Sequence, residues 1–316
     1  MTPPHPHDTE PPPHGGSGHP TRTALVLGGG GSAGNAWLIG VIAGLADAGL
    51  DVTDADLVIG TSAGSTAAAQ LTGAPAADLY ADVLAAAPAR RPGPRAADAG
   101  RAATRPVMNP LVTTNAIIAA AADAADMRRS IGAWALENEA AAPRSEQWRA
   151  TVSARLPSAL WPRRRLLITA VDAESGDPFV LDRDSGVDLV DAVAASCAGG
   201  FAYTIGSGAY LDGGYRTNAD NADLAAGYER VLVLSPLGGR SRTPVGWGLH
   251  LATQVDDLRA HGSRVATVFP DAASLAAFGD NLMDPSTRPP AARAGYEQGT
   301  SLVDLVSELW LPCGNR

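Results

Sequence analysis

The sequence predicts an α/β fold built around a mostly parallel sheet, and three observations carry that prediction. Short apolar runs suited to buried strands recur at 24–27, 56–59, 166–171, 231–234 and 265–269. Segments with apolar residues at helical spacing lie between them. The first two runs each end in a glycine-containing turn that opens a helix. Strands of a parallel sheet are covered on both faces, so they read as continuous apolar runs rather than alternating ones.

The elements follow in chain order. Residues 1–21 hold seven of the 24 Pro and four of the six His, and Met1 is their only apolar side chain larger than Pro. Such a segment has too little apolar surface to offset the entropy of ordering, so a disordered tail is expected there. The first strand, 24–27, runs into Gly28, and Trp37, Leu38, Val41, Ile42 and Leu45 then mark a helix that ends at Gly49. A second strand at 56–59 leads to a small-residue helix at 65–71, and another helix is read at 75–87. Residues 88–106 carry Arg90, Arg91, Arg95, Arg101 and Arg105 against Asp98 alone, a locally basic loop suited to anionic lipid head groups or simply to solvent. Residues 113–155 read as Ala-rich helix, 247–259 as an amphipathic helix, and 296–309 as a last one. The expected organisation is therefore a tail at 1–21 and one domain at 22–312, with a helical and basic insertion around 88–160.

Composition closes off several chemistries. The chain has 316 residues and a net charge of −9, and all 24 of its basic residues are Arg. Without Lys there is no P-loop, no kinase strand lysine and no Schiff-base lysine for pyridoxal phosphate. The acidic balance argues against sequence-independent nucleic-acid binding, which depends on basic side chains neutralising phosphates. Cys197 and Cys313 form no metal-ligand spacing and read as one core and one tail thiol. No apolar run of about 18 residues is present, so no membrane span is expected. No Arg precedes Arg22, so a signal peptide is not expected and a cytoplasmic location is. No metal or organic cofactor is implied.

Three local patterns carry chemistry. Gly60-Thr61-Ser62-Ala63-Gly64 lies between a strand and a helix, the setting of a G-x-S-x-G nucleophile elbow, with Ser62 projecting above the sheet edge. Gly28 through Gly34 also joins a strand to a helix, and its glycines allow backbone N–H groups to converge. Gly29, Gly31 and Gly34 fit a dinucleotide fingerprint, but the second strand ends in Gly60-Thr61-Ser62 rather than in an acid. A Tyr–Lys dehydrogenase pair is excluded by composition. An oxyanion hole for acyl transfer suits the loop better. The third pattern is Asp212-Gly213-Gly214 after a short apolar approach, which would present a carboxylate at a strand end. His250 and His261 could in principle serve a Ser-His-Asp triad, but both fall in or beside a predicted helix rather than on a loop after a strand.

Taken in order, the glycine loop, the elbow, the 192–201 segment with Ser196, Cys197, Gly199 and Phe201, and the D-G-G turn resemble the patatin-like phospholipase family over roughly 23–235. The resemblance implies a three-layer α/β/α lipid acyl hydrolase using a Ser–Asp dyad. Carried over, Ser62 is the nucleophile, Asp212 the base, and the amides of Gly29, Gly30, Gly31 and Ser32 the oxyanion hole, with Gly34, Gly60, Gly64, Gly213 and Gly214 shaping the motifs. The implied partner is a lipid or acyl-ester substrate, and the basic loop at 88–106 adds peripheral contact with an anionic membrane surface as one of its two readings. The chain departs from the family at two positions: Ala33 where many members carry a basic residue, and Gly199 where many have Pro. A Ser-His-Asp esterase, a nicotinamide oxidoreductase using the glycine loop and a non-catalytic lipid-binding protein of the same fold are the rival expectations.

Overall fold

The computed structural model describes residues 22–85 and 110–311. Its sheet has eight strands: β1 (Thr23–Leu27), β2 (Leu57–Gly60), β3 (Arg165–Asp172), β4 (Pro178–Leu181), β5 (Tyr203–Ile205), β6 (Gly208–Asp212), β7 (Arg230–Leu234) and β8 (Arg264–Val268). The order is β5-β6-β3-β2-β1-β7-β8, with β4 also paired to β3. The strands from β3 to β8 along this path are parallel, and β4, β5 and β6 add an antiparallel flank. Eleven α-helices are described: α1 (Gly31–Asp47), α2 (Ala63–Gly73), α3 (Ala76–Ala85), α4 (Pro110–Ala120), α5 (Ala124–Ala141), α6 (Ser145–Ser153), α7 (Leu189–Ser196), α8 (Leu251–Ala260), α9 (Ala272–Phe278), α10 (Arg288–Ser301) and α11 (Val303–Trp310).

Alternation along the strands builds three layers. Leu25, Leu27, Val58, Leu232 and Leu234 pack with residues of α1, α2, α3, α7 and α10 on one face. Ala24, Val26, Leu57, Ile59, Val231 and Val233 pack with α8 and with Ala222 and Ala225 on the other. Both kinds of residue are apolar, which is why each strand reads as an unbroken run. A smaller cluster joins Ile118, Met127 and Ile131 to Val171, Leu211 and Tyr215, so α4 and α5 cover the antiparallel flank. No described helix is long and apolar enough to cross a membrane.

The register puts the chemistry side by side. Leu27 of β1 pairs with Gly60 of β2, so the glycine loop and the elbow leave adjacent strand ends. Crevices outside the carboxyl ends of parallel strands are where such sheets bind ligands.

Several element boundaries differ from the sequence expectation. Helix α1 starts at Gly31 rather than near Trp37, because the glycine-rich first turn shows no apolar spacing. The 113–155 region divides into three helices, and Asp123 starts the second by accepting a 2.8 Å hydrogen bond from the Asp126 amide. The 247–259 helix begins only at Leu251, with His250 and His261 at its two caps. The expected 296–309 helix is two helices interrupted at Leu302, the first beginning at Arg288. Pro289 and Pro290 in its first turn remove N–H groups that would have no intrahelical acceptor anyway. The 1–21 tail and the 88–106 basic loop lie outside the described residues.

Candidate active site

Ser62 sits between β2 and α2 with φ 52° and ψ −117°. A non-glycine residue held at such angles costs about 1–3 kcal/mol and persists only where its surroundings fix it. Here they do. The Ser62 amide donates to Ser196 Oγ at 2.9 Å. Its carbonyl accepts from Ser65 Oγ at 2.6 Å and from Cys197 Sγ at 3.1 Å. Gly64 is required by close approach, since a Cβ there would lie 1.9 Å from the Leu27 carbonyl oxygen. Gly60 closes β2 on the other side of the turn.

The Ser62 hydroxyl donates to Asp212 Oδ2 at 2.8 Å across 150 residues of sequence. Both residues are partly exposed. Asp212 ends β6 and caps the short turn Gly213–Tyr215, where the Gly214 amide donates to its Oδ1 at 2.8 Å. Burial pushes the Asp212 carboxyl up to about 6, against the opposing pull of the Gly214 and Ser62 hydrogen bonds and of the Arg242 charge. A carboxylate raised this far is a better proton acceptor at neutral pH than an ordinary Asp. Burial also pushes the Cys197 thiol up to about 11, which keeps it neutral near pH 7.

The glycine loop is narrower as a donor set than the sequence suggests. The Gly29 amide is committed to the Ala219 carbonyl at 2.8 Å, which corrects its expected place among the free donors. Ala33 N–H is bonded to the Leu282 carbonyl, and Gly34 N–H to Gly30. Among the described residues, the amides of Gly30, Gly31 and Ser32 have no protein acceptor. They lead into the N-terminus of α1, where negative charge is stabilised.

The histidines stand apart from this constellation. His250 Nε2 is 2.8 Å from the Thr243 carbonyl oxygen, and His261 Nδ1 is 2.7 Å from that of Asp257. Neither hydrogen-bonds Ser62 or Asp212. Among the described residues no cluster of three or more His, Cys, Asp or Glu is arranged to hold a metal ion.

The contact made by Ser196 and two further residues at the site escaped the sequence reading. Ser196, in the 192–201 segment, orients the elbow amide. Arg242 reaches Thr114 and Asn115 of α4 and lies over the Tyr215 ring beside Asp212. Asn221 is buried, with φ 56°, and its Nδ2 lies within 3.0 Å of both Thr61 Oγ1 and the Gly213 carbonyl oxygen. It thus ties the elbow turn to the Asp212 turn. Asn221→Ala should lower the unfolding free energy by about 2 kcal/mol, because buried partners lose their donor and Ala disfavours a left-handed backbone. Chemical denaturation checks this, and an unchanged midpoint would show that the network is not stabilising.

The comparisons with known proteins place the chain in a family. A family model described as Patatin-like phospholipase matches residues 25–225. Among solved structures the chain is similar to VipD from Legionella pneumophila, at 13% identity and a TM-score of 0.43, over 90% of this chain and 67% of that one. It is also similar to the type III effector protein ExoU, at 18% identity and a TM-score of 0.34, over 89% of this chain and 54% of that one. No curated protein matches the sequence. The family match spans well over half of the 316 residues, from β1 through the Asp212 and Asn221 turn, and on that ground the chain belongs to the patatin-like phospholipase family.

Proposed function

We propose that the protein is a lipid acyl hydrolase that cleaves fatty-acyl ester bonds through a Ser62–Asp212 dyad. The observation that carries this reading is the 2.8 Å hydrogen bond from the Ser62 hydroxyl to Asp212, beside the unbonded amides of Gly30, Gly31 and Ser32. Ser62 Oγ attacks the acyl carbonyl while its proton passes to Asp212 Oδ2. The loop amides receive the negative charge that develops on the carbonyl oxygen. The tetrahedral intermediate collapses, the ester C–O bond breaks, and Asp212 returns the proton to the departing alkoxide. Water then attacks acyl-Ser62, losing its proton to Asp212, and the fatty acid leaves with the Ser62 hydroxyl restored. The scheme uses no metal or organic cofactor. The Arg-rich 88–106 stretch is the sequence's candidate for contact with an anionic membrane surface.

A fluorophosphonate probe tests the reading, because its phosphorus accepts a serine oxygen and mimics the tetrahedral intermediate. The expected outcome is one adduct, located on Ser62 by peptide mass spectrometry and absent from Ser62→Ala. A folded protein that takes no label would favour a non-catalytic lipid-binding role. Label on another serine would reassign the nucleophile.

A further inference from the structure

The glycine loop is held from outside by a segment that the family match does not include. Residues 282–288 lie beyond the matched 25–225, yet they touch three consecutive residues of the loop. The Leu282 carbonyl oxygen and Met283 Sδ would each lie 2.9 Å from a Cβ at Gly31, which has φ +64°. The Leu282 carbonyl also accepts from Ala33 N–H at 3.0 Å. Arg288 Nη1 donates to the Ser32 carbonyl at 3.2 Å and to Asn35 Oδ1 at 3.0 Å. The Ser32–Ala33 peptide is therefore gripped at both its oxygen and its N–H by one short stretch of chain. Asn35 is fixed in turn by Gln70 of α2, at 3.0 Å.

Arg288 is unusual in its charge balance. It is half-buried, and no carboxylate pairs with it among the described residues; the charge that bears on it is another cation, Arg155. A guanidinium without a carboxylate is costly to desolvate, and here two uncharged acceptors, the Ser32 carbonyl and Asn35 Oδ1, hold it. Between Gly28 and Gly34 the loop it grips carries no charged side chain of its own.

We propose that Arg288 is a positioning residue for the oxyanion loop, clamping the Ser32 carbonyl so that the Gly30, Gly31 and Ser32 amides stay aimed at the reacting carbonyl. The clamp also brings a fixed positive charge to a loop that has none of its own. This inference rests on the hydrolase reading above, and it concerns a residue that acts through the loop without touching substrate.

Steady-state hydrolysis of p-nitrophenyl acyl esters by Arg288→Met, Arg288→Lys, Ser62→Ala and the α10 control Arg293→Met tests it, with thermal unfolding recorded for each. Misplaced oxyanion donors should reduce kcat for Arg288→Met roughly 10- to 100-fold. KM should stay within about twofold of wild type, since loss confined to the transition state leaves ground-state binding alone. Arg288→Lys should recover part of kcat because it keeps the charge and one donor, and the exposed Arg293→Met should match wild type. Wild-type kcat in Arg288→Met with an inactive Ser62→Ala would overturn the clamp and leave the hydrolase reading intact. Equal losses in the Met and Lys variants, accompanied by loss of the unfolding transition, would also overturn it as a merely structural effect. Undiminished activity in Ser62→Ala would instead remove the hydrolase reading itself.

Discussion

Asp212→Asn is expected to lower kcat/KM for acyl esters by roughly 10²- to 10⁴-fold, the usual contribution of a positioned general base, and Ser62→Ala to remove the covalent route altogether. The Asn variant is the more informative of the two. With its Oδ1 kept on the Gly214 amide, the Asn side chain turns an Nδ2 donor, which cannot take a proton, toward the Ser62 hydroxyl. Shape is thus nearly conserved while the ability to take a proton is lost. The pH dependence gives an independent reading. Wild-type kcat/KM should rise as pH passes through about 6, because the competent form of Asp212 is the carboxylate and burial holds its pKa there. That rise should be missing from whatever activity Asp212→Asn retains. The double variant His250→Ala/His261→Ala should stay close to wild type. An inactive histidine variant beside an active Asp212→Asn would sink the dyad and restore the triad scheme.

Legibility in the sequence followed the range over which each feature is determined. The elbow and the D-G-G turn could be read directly, because a tight strand-to-helix turn is specified by neighbouring glycines, Gly64 above all. The parallel strands could be read because burial on both faces leaves an unbroken apolar signal. The antiparallel flank was harder, since β4 and β5 are only 4 and 3 residues long and carry no periodicity of their own. What lay beyond reach was the contact each residue outside the motifs makes with a distant partner. Ser196 contacts the elbow across 134 residues, Asn221 reaches Thr61 across 160, and Arg288 reaches Ser32 across 256. A lone Asn or Arg has no local pattern that reveals such a partner. The commitment of the Gly29 amide is of the same kind, since its acceptor, Ala219, only arrives with the fold.

The largest stability effect is expected at Asp220, where Asp220→Asn should stabilise the protein at pH 8 and do much less at pH 4. Asp220 is 1% exposed, and its Oδ1 has no hydrogen-bond partner among the described residues. That oxygen lies against Gly28, where an added Cβ would come within 2.2 Å of it, at the very base of the glycine loop. Burial pushes the carboxyl up to about 7, only partly countered by a hydrogen bond with the Ser235 side chain. The sign follows from comparing the two states. Below the unfolded value near 3.8 the group is protonated folded and unfolded alike, and ionisation costs nothing. Between there and about 7 the unfolded chain releases the proton while the folded chain keeps it, so stability falls steadily as pH rises. Above about 7 both forms are ionised, and the folded state carries the full penalty of a buried unpaired charge. A difference of this size corresponds to about 4 kcal/mol at most. Asparagine has the same outline and no charge to bury, so it should recover a large part of that amount at pH 8, read as a higher denaturation midpoint. Its amide still needs a buried acceptor, which is why recovery should be incomplete. Equal midpoint shifts at pH 4 and pH 8 would show that Asp220 does not hold its proton in the folded protein. The same carboxyl oxygen lies against Gly28, and the carbonyl of its neighbour Ala219 accepts from the Gly29 amide, so Asp220 stands at the base of the glycine loop.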